Sequence, residues 1–207
     1  MRNLIMKSIA GLVVTFGLCA HASAMLIVDL YGDKDGFGTT SDGSPLANGA
    51  TFDFNDVQAD DSADTGTITD MWTSGTQSWV HNYVLTGLGQ VLSANLEIFT
   101  GGTGFQGQSS LYLDNNFVGS ITLGETSTSN IGVLDSFDLG SLIDLSLLNG
   151  SDRLRIETAA SGDAWALDYS ELRIETASVP EPSVLSLVAI GFLGMGFLRI
   201  RRRKQFI

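Results

Sequence analysis

The sequence predicts an all-β protein: a single antiparallel β-sandwich, of jelly-roll type, set between an export signal and a membrane tail. Three observations predict it. Apolar and polar residues alternate with a period of two through the middle of the chain, the signature of half-buried strands. Gly, Ser, Thr, Asn and Asp fill the connections between these runs, as short antiparallel strands require. Apolar segments with basic flanks stand only at the two ends. The expected division is residues 1–24 as signal peptide, 25–178 as the sandwich and 179–207 as a membrane tail, leaving enough chain for one buried core.

The strands follow in order. Met25–Tyr31 sets Leu26, Val28 and Leu30 against Ile27, Asp29 and Tyr31, and the aliphatic trio is expected to face the core. Thr51–Phe54 is a weak strand, and Asp56–Thr69 a polar, acidic loop. Ser78–Leu85 lines up Trp79, His81, Tyr83 and Leu85, and Leu92–Thr100 lines up Leu92, Ala94, Leu96 and Ile98. Leu111–Leu113 and Phe117–Leu123 flank Asp114-Asn115-Asn116, residues that tolerate the left-handed backbone of a hairpin turn. Val133–Leu139 is weaker, and Leu142–Leu148 reads equally as a short helix or an irregular edge. Arg153–Thr158 alternates, as does Ala164–Glu175, where a change of phase near Ser170-Glu171 predicts a bulge. Trp79 and Trp165 fall in phase with aliphatics and are expected in the core, whereas Trp72 is less committed.

The ends carry processing signals. Arg2 and Lys7 precede an apolar run, Ile9 to Cys19, and then Ala22-Ser23-Ala24, the small-x-small pattern that signal peptidase accepts. Cleavage is expected after Ala24. At the other end, Val179-Pro180-Glu181-Pro182-Ser183 leads into an apolar run and the basic cluster Arg199 to Lys204. The prolines enforce an extended segment. A transmembrane segment over about residues 184–200 would keep the cluster cytoplasmic and the domain outside. This three-part end resembles the PEP-CTERM sorting signal of Gram-negative, exopolysaccharide-producing bacteria, also called an ice-binding-protein C-terminal domain. The resemblance implies recognition of Pro180, Glu181 and Pro182 by an exosortase, a membrane protease. It implies an inner-membrane-anchored precursor, then a cell-surface or extracellular protein beside exopolysaccharide.

Composition excludes whole classes of function. Between Met25 and Val179 four basic residues face 22 acids, a net charge of −18, so nucleic acid is not a partner. The sole cysteine, Cys19, lies in the signal, which removes disulfides, thiolate metal sites and thiol nucleophiles from the mature domain. His81 is its one imidazole, so multi-histidine metal sites are excluded and a Ser-His-Asp triad has a single possible centre. What remains is carboxylate, hydroxyl, amide and aromatic chemistry.

Two segments are candidates for holding a hard cation. Tyr31-Gly32-Asp33-Lys34-Asp35-Gly36-Phe37-Gly38 places two aspartates one residue apart among glycines, a loop that can wrap oxygens around calcium. It resembles an acidic loop of calcium-stabilised sandwich domains in other sorting-signal proteins. Gly162–Leu172 resembles the last strand of jelly-roll carbohydrate-binding modules, whose carboxylates can face a structural calcium beside the first strand. The expected set is Asp33, Asp35, Asp163 and Asp168. The leading expectation is a non-enzymatic envelope or matrix protein. A calcium-dependent carbohydrate-binding module is the alternative, and a secreted glycan-active enzyme the third reading.

Overall fold

The structure, a computed structural model, describes residues 24–38, 45–57, 67–125 and 129–177. Those from Met25 to Ala177 belong to one compact unit. Ala22, the Pro180–Pro182 motif, the expected membrane segment and most of the acidic loop lie outside the described residues. Among the described residues no helix is long and apolar enough to cross a membrane.

Among the described residues, ten strands form two antiparallel sheets: β1 (Met25–Gly32), β2 (Thr51–Phe52), β3 (Trp72–Ser74), β4 (Gln77–Asn82), β5 (Val91–Gly101), β6 (Ser110–Leu113), β7 (Asn116–Ser120), β8 (Asn130–Asp138), β9 (Ser151–Glu157) and β10 (Ala164–Thr176). One sheet runs β1-β10-β5-β8-β2, with β3 also on β10, and the other β4-β9-β6-β7. With the short β2 and β3 set aside, the chain passes back and forth between two four-stranded layers, and its first and last strands are neighbours. This is the jelly-roll arrangement.

Local sequence accounts for the connections. The β6–β7 hairpin turns on Asp114 (φ 47°) and Asn115 (φ 69°), with Leu113 opposite Asn116, the two-residue turn whose twist matches the flanking strands. The Leu142–Leu148 region resolves into two single turns, α1 (Leu139–Leu142) and a 3-10 turn over Leu145–Leu147. Asp138 caps α1 by accepting the Gly140 N–H.

The main core lies between the sheets and includes Trp79, Leu96, Ile98, Leu111, Leu113, Leu154, Ile156, Trp165, Leu167, Leu172 and Ile174. A second cluster of Phe37, Leu46, Phe52, Phe99, Ala166 and Tyr169, with Trp72 against it, covers the other face of the larger sheet. β10 is therefore buried on both faces.

The first strand departs from expectation. Leu26, Val28 and Leu30 are exposed, while Ile27 and Tyr31 pack on the main core. Both faces of β1 carry apolar residues, so alternation fixes the period and leaves the inward face open. Pairing with β10 turns Asp29 toward His81 of the opposite sheet, where it finds a partner. The bulge in β10 also lies earlier than expected. The register against β5 slips between Leu167 and Tyr169, so Asp168 is the extra residue. Before it Trp165 and Leu167 face the main core; after it Leu172 and Ile174 do.

Candidate metal centre

The bulge lies where two strands share one edge of β10. β1 pairs with β10 as far as Gly32 opposite Tyr169, and β3 takes up the same edge from Ala166 to Ala164. Asp168 stands in the interval between them. The chain leaving β1 supplies Asp33 and Asp35, and the chain entering β3 supplies Asp70. One carboxylate oxygen from each of these four residues lies within 4.8 Å of all the others.

Backbone geometry holds each group there. Gly32 has φ 86°, and a Cβ at that position would lie 2.2 Å from the Asp168 carbonyl oxygen, so only glycine lets β1 end this close to β10. The following loop folds on its own carboxylates: Asp33 Oδ1 accepts the Asp35 N–H at 3.4 Å, and Asp35 Oδ1 accepts the Gly38 N–H at 2.7 Å. Phe37, at φ 65°, donates its N–H to Asp168 Oδ1 at 3.3 Å. Its ring is buried against Phe52 and Phe99 at centroid distances of 5.7 and 5.5 Å, which anchors the loop in the second cluster. Asp70, at φ 50°, donates its N–H to the Leu167 carbonyl at 2.8 Å.

The electrostatics are one-sided. Asp70 and Asp168 are each only 1% exposed. Burial, and then the charges of Asp35 and Asp33, push the Asp168 carboxyl up to about 7, although the Phe37 N–H acts in the opposite direction. Lys34 sits inside the acidic loop, yet its ammonium reaches Glu171 at 2.8 Å and Glu97 at 3.8 Å and lies over the Tyr169 ring. The salt bridges of Arg155 and Arg173 also go to glutamates.

This donor set suits a hard cation. Calcium binds oxygens at about 2.3–2.6 Å, so two ligands on opposite sides of the ion stand about 5 Å apart, close to the span of the cluster. The donors are all carboxylates, with no thiolate or imidazole to favour zinc or copper.

Asp163 is not part of this group. It is buried elsewhere, its Oδ2 accepting the Gly104 N–H at 3.2 Å and its carbonyl the Gly75 N–H at 3.2 Å. Five residues along a strand separate it from Asp168, which carries it past β3 to the loop beyond. Burial and the charge of Asp163 hold the Glu125 carboxyl above its usual range. Asp70, by contrast, takes part without having been expected. It is 35 residues from Asp35 and 98 from Asp168 in sequence, and only the pairing of β3 with β10 brings it in.

A second polar array joins the sheets. His81 Nδ1 lies 2.6 Å from Asp29 Oδ2 and its Nε2 lies 2.9 Å from Ser170 Oγ. A carboxylate only accepts, so Nδ1–H donates to Asp29 and Nε2 accepts the Ser170 hydroxyl. Burial pushes the imidazole below its ordinary value, against the pull of Asp29. His81 and Ser170 are both fully buried, so no substrate reaches either in this structure. Trp79 and Trp165 are in the core as expected. Trp72 lies at the margin, sandwiched between Phe52 and Phe54, and the Phe54 ring stacks on it at 4.9 Å and 6° while remaining 62% exposed.

Comparison with known proteins identifies the tail. A family model for the PEP-CTERM protein-sorting motif matches residues 178–203. The chain therefore carries an exosortase sorting signal and is an exported protein with a membrane-anchored precursor. No curated protein matches the sequence. Among solved structures, dimeric latent PorU from Porphyromonas gingivalis is similar over 75% of this chain, at 12% identity and a TM-score of 0.40; the chain spans 13% of that protein. The CBM36-1 domain of a multidomain xylanase from the hindgut metagenome of Trinervitermes trinervoides is similar over 75% of this chain and 100% of that domain, at 11% identity and a TM-score of 0.31. Likenesses at this level decide neither ligand nor activity.

Proposed function

We infer that the mature protein is a non-enzymatic β-sandwich of the outer envelope or matrix, held rigid by a structural calcium ion and retained beside exopolysaccharide. The observation that carries this reading is the cluster of Asp33, Asp35, Asp70 and Asp168 where β1 ends and β3 begins. Four carboxylates gathered there repel one another, by roughly 3 kcal/mol per pair at 4.8 Å and an effective dielectric of 20. A divalent cation reverses the sign of that interaction and ties three separate segments of chain to one point. The chemistry is that of a structural clamp, because the four carboxylates come from three separate segments of chain and two of them, Asp70 and Asp168, are buried.

The non-enzymatic reading is supported by the burial of Ser170 and His81, which pair as a nucleophile and base would among the described residues. Their array joins β1, β4 and β10 across the core and serves as a strut. The test is fractionation. The exported protein should co-purify with surface polysaccharide from cells grown in calcium and leave that fraction on chelation. Free protein in both conditions would contradict the proposal.

One observation favours a second reading, a calcium-dependent carbohydrate-binding module. The exposed Phe54 ring on Trp72 offers an apolar face of the kind that stacks on sugars, and Asp70 is two residues from Trp72. A glycan array on residues 25–178, with and without chelator, separates the readings: calcium-dependent binding lost in Phe54→Ala supports the module, and no binding supports the matrix protein.

A further inference from the structure

Asp163, which stands apart from the carboxylate cluster, has a setting of its own. It ends the loop that enters β10 and is 1% exposed. Three of its polar groups are committed. Its N–H donates to the Ala160 carbonyl, its carbonyl accepts the Gly75 N–H and its Oδ2 accepts the Gly104 N–H, each at 3.2 Å. Its Oδ1 is buried and has no hydrogen-bond partner among the described residues.

Two further connections meet beside this carboxylate. The one between β5 and β6 passes it at Gly104, whose φ of 90° suits glycine. The one between β7 and β8 lies against the first. Gly124 donates its N–H to the Thr103 carbonyl at 2.8 Å, and a Cβ on Gly124 would lie 3.1 Å from Thr103 Oγ1. Thr103 is itself buried, its hydroxyl donating to the Thr122 carbonyl at 2.9 Å. Glu125 follows Gly124 and is half-buried at the margin, where it bridges to Asn130. Burial and then the charge of Asp163 hold its carboxyl above the usual range, so the two acids act on each other. Among the described residues, the salt bridges of Lys34, Arg155 and Arg173 go to other acids, and none reaches Asp163 or Glu125.

A buried carboxylate with an open lone pair needs more than a donor, because its charge must be balanced as well. A water molecule supplies an O–H and leaves the charge uncompensated. A cation supplies both. The charge count then selects the kind of ion. Divalent calcium suits several carboxylates together, as at Asp33, Asp35, Asp70 and Asp168. Here one carboxylate is fully buried while Glu125 is partly in water, so a single positive charge balances the interior. Oxygen donors without sulfur or imidazole favour a hard ion.

We propose that Asp163 Oδ1, beside the Gly104 turn and Glu125, holds a monovalent alkali cation, at a site separate from the carboxylates between β1 and β3. The ion would tie the loop entering β10 to the connections on either side of it.

The test uses the exported protein with the calcium concentration held constant. Its melting temperature is read in sodium, potassium and choline chloride at one sub-molar ionic strength. Screening is then equal, and a difference reports a site. An ion at ten times its dissociation constant multiplies the folded-to-unfolded ratio about elevenfold, a rise of roughly 3–6 °C. Sodium or potassium should give that rise over choline, and Asp163→Asn should remove it while the response to calcium remains. Glu125→Gln, at a half-buried position, should reduce the rise, and it carries the test if Asp163→Asn does not fold. Equal melting of the wild type in all three salts overturns the proposal and leaves water as the partner of Oδ1. A rise that survives both variants puts the ion elsewhere and overturns the assignment to Asp163. A rise erased by excess calcium makes the site divalent and overturns the charge count.

Discussion

Replacing His81 by leucine tests what joins the two sheets. The imidazole accepts from Ser170 on β10 and donates to Asp29 on β1, from a fully buried position on β4. Leucine removes a bond to a charged acceptor, about 1.5–3 kcal/mol, and leaves the buried Ser170 hydroxyl unsatisfied, about 1–3 kcal/mol. Greater apolar burial returns about 1 kcal/mol. The net loss is about 1.5–5 kcal/mol, or roughly 3–20 °C in melting temperature for a domain of this size. The double variant His81→Leu with Ser170→Ala should lose less than the sum of the single variants, because the orphaned hydroxyl is gone. The pH dependence adds a second signature. Burial lowers the folded value of His81, so below its ordinary 6.5 the unfolded chain takes up a proton that the folded state refuses. Its contribution is complete above about pH 6.5 and is lost as pH falls, with a slope of up to about 1.4 kcal/mol per pH unit. His81→Leu should abolish that part of the slope. Thermal melts read by circular dichroism from pH 5 to 8 measure both effects. Strictly additive single and double variants, with unchanged slopes, would refute the strut.

Three further outcomes follow from the geometry. Leu96→Ala, at a fully buried position, should cost about 2–5 kcal/mol, while Ser93→Ala on the outer part of β5 should cost little; equal melting temperatures would contradict the assigned face. Gly32→Ala should destabilise the domain and abolish its response to calcium, because the new Cβ would meet the Asp168 carbonyl at 2.2 Å; an unchanged calcium titration would show that the β1 exit does not shape the site. Glu181→Ala, or Pro180→Ala with Pro182→Ala, should leave an unprocessed, membrane-bound form, seen as a heavier intact mass.

Alternation and turn chemistry made the jelly roll legible, because both are local. Asp114 and Asn115 mark their hairpin by tolerating positive φ, and Trp165 and Leu167 mark one face of β10. The same local signal failed in β1, where Ile27 and Tyr31 compete with Leu26, Val28 and Leu30 and only pairing with β10 decides. The candidate site was partly legible for the same reason. Asp33 and Asp35 stand beside glycines in one loop, and a jelly roll sets its first strand beside its last, which brings Asp168 to them. The bulge that makes Asp168 the extra residue shows in the sequence as a phase change, displaced by two residues. Asp70 left no sequence signal, since β3 is three residues long and its pairing is non-local. Asp163 looked equivalent to Asp168 in sequence, and the strand between them separates the two.

The central claim, a structural cation held by the carboxylates between β1 and β3, is tested most directly by thermal melting of residues 25–178 in millimolar calcium, in magnesium and in sodium of equal ionic strength. A ligand specific to the folded state adds about 2.7 kcal/mol at one hundred times its dissociation constant, a rise of roughly 5–11 °C here. Calcium should give that rise, magnesium less because it holds its waters in a tighter shell, and sodium little. Asp33→Asn with Asp35→Asn, and separately Asp70→Asn, should remove the difference, while Asp163→Asn should leave it in place. Equal shifts from calcium and sodium in the wild type would contradict the account.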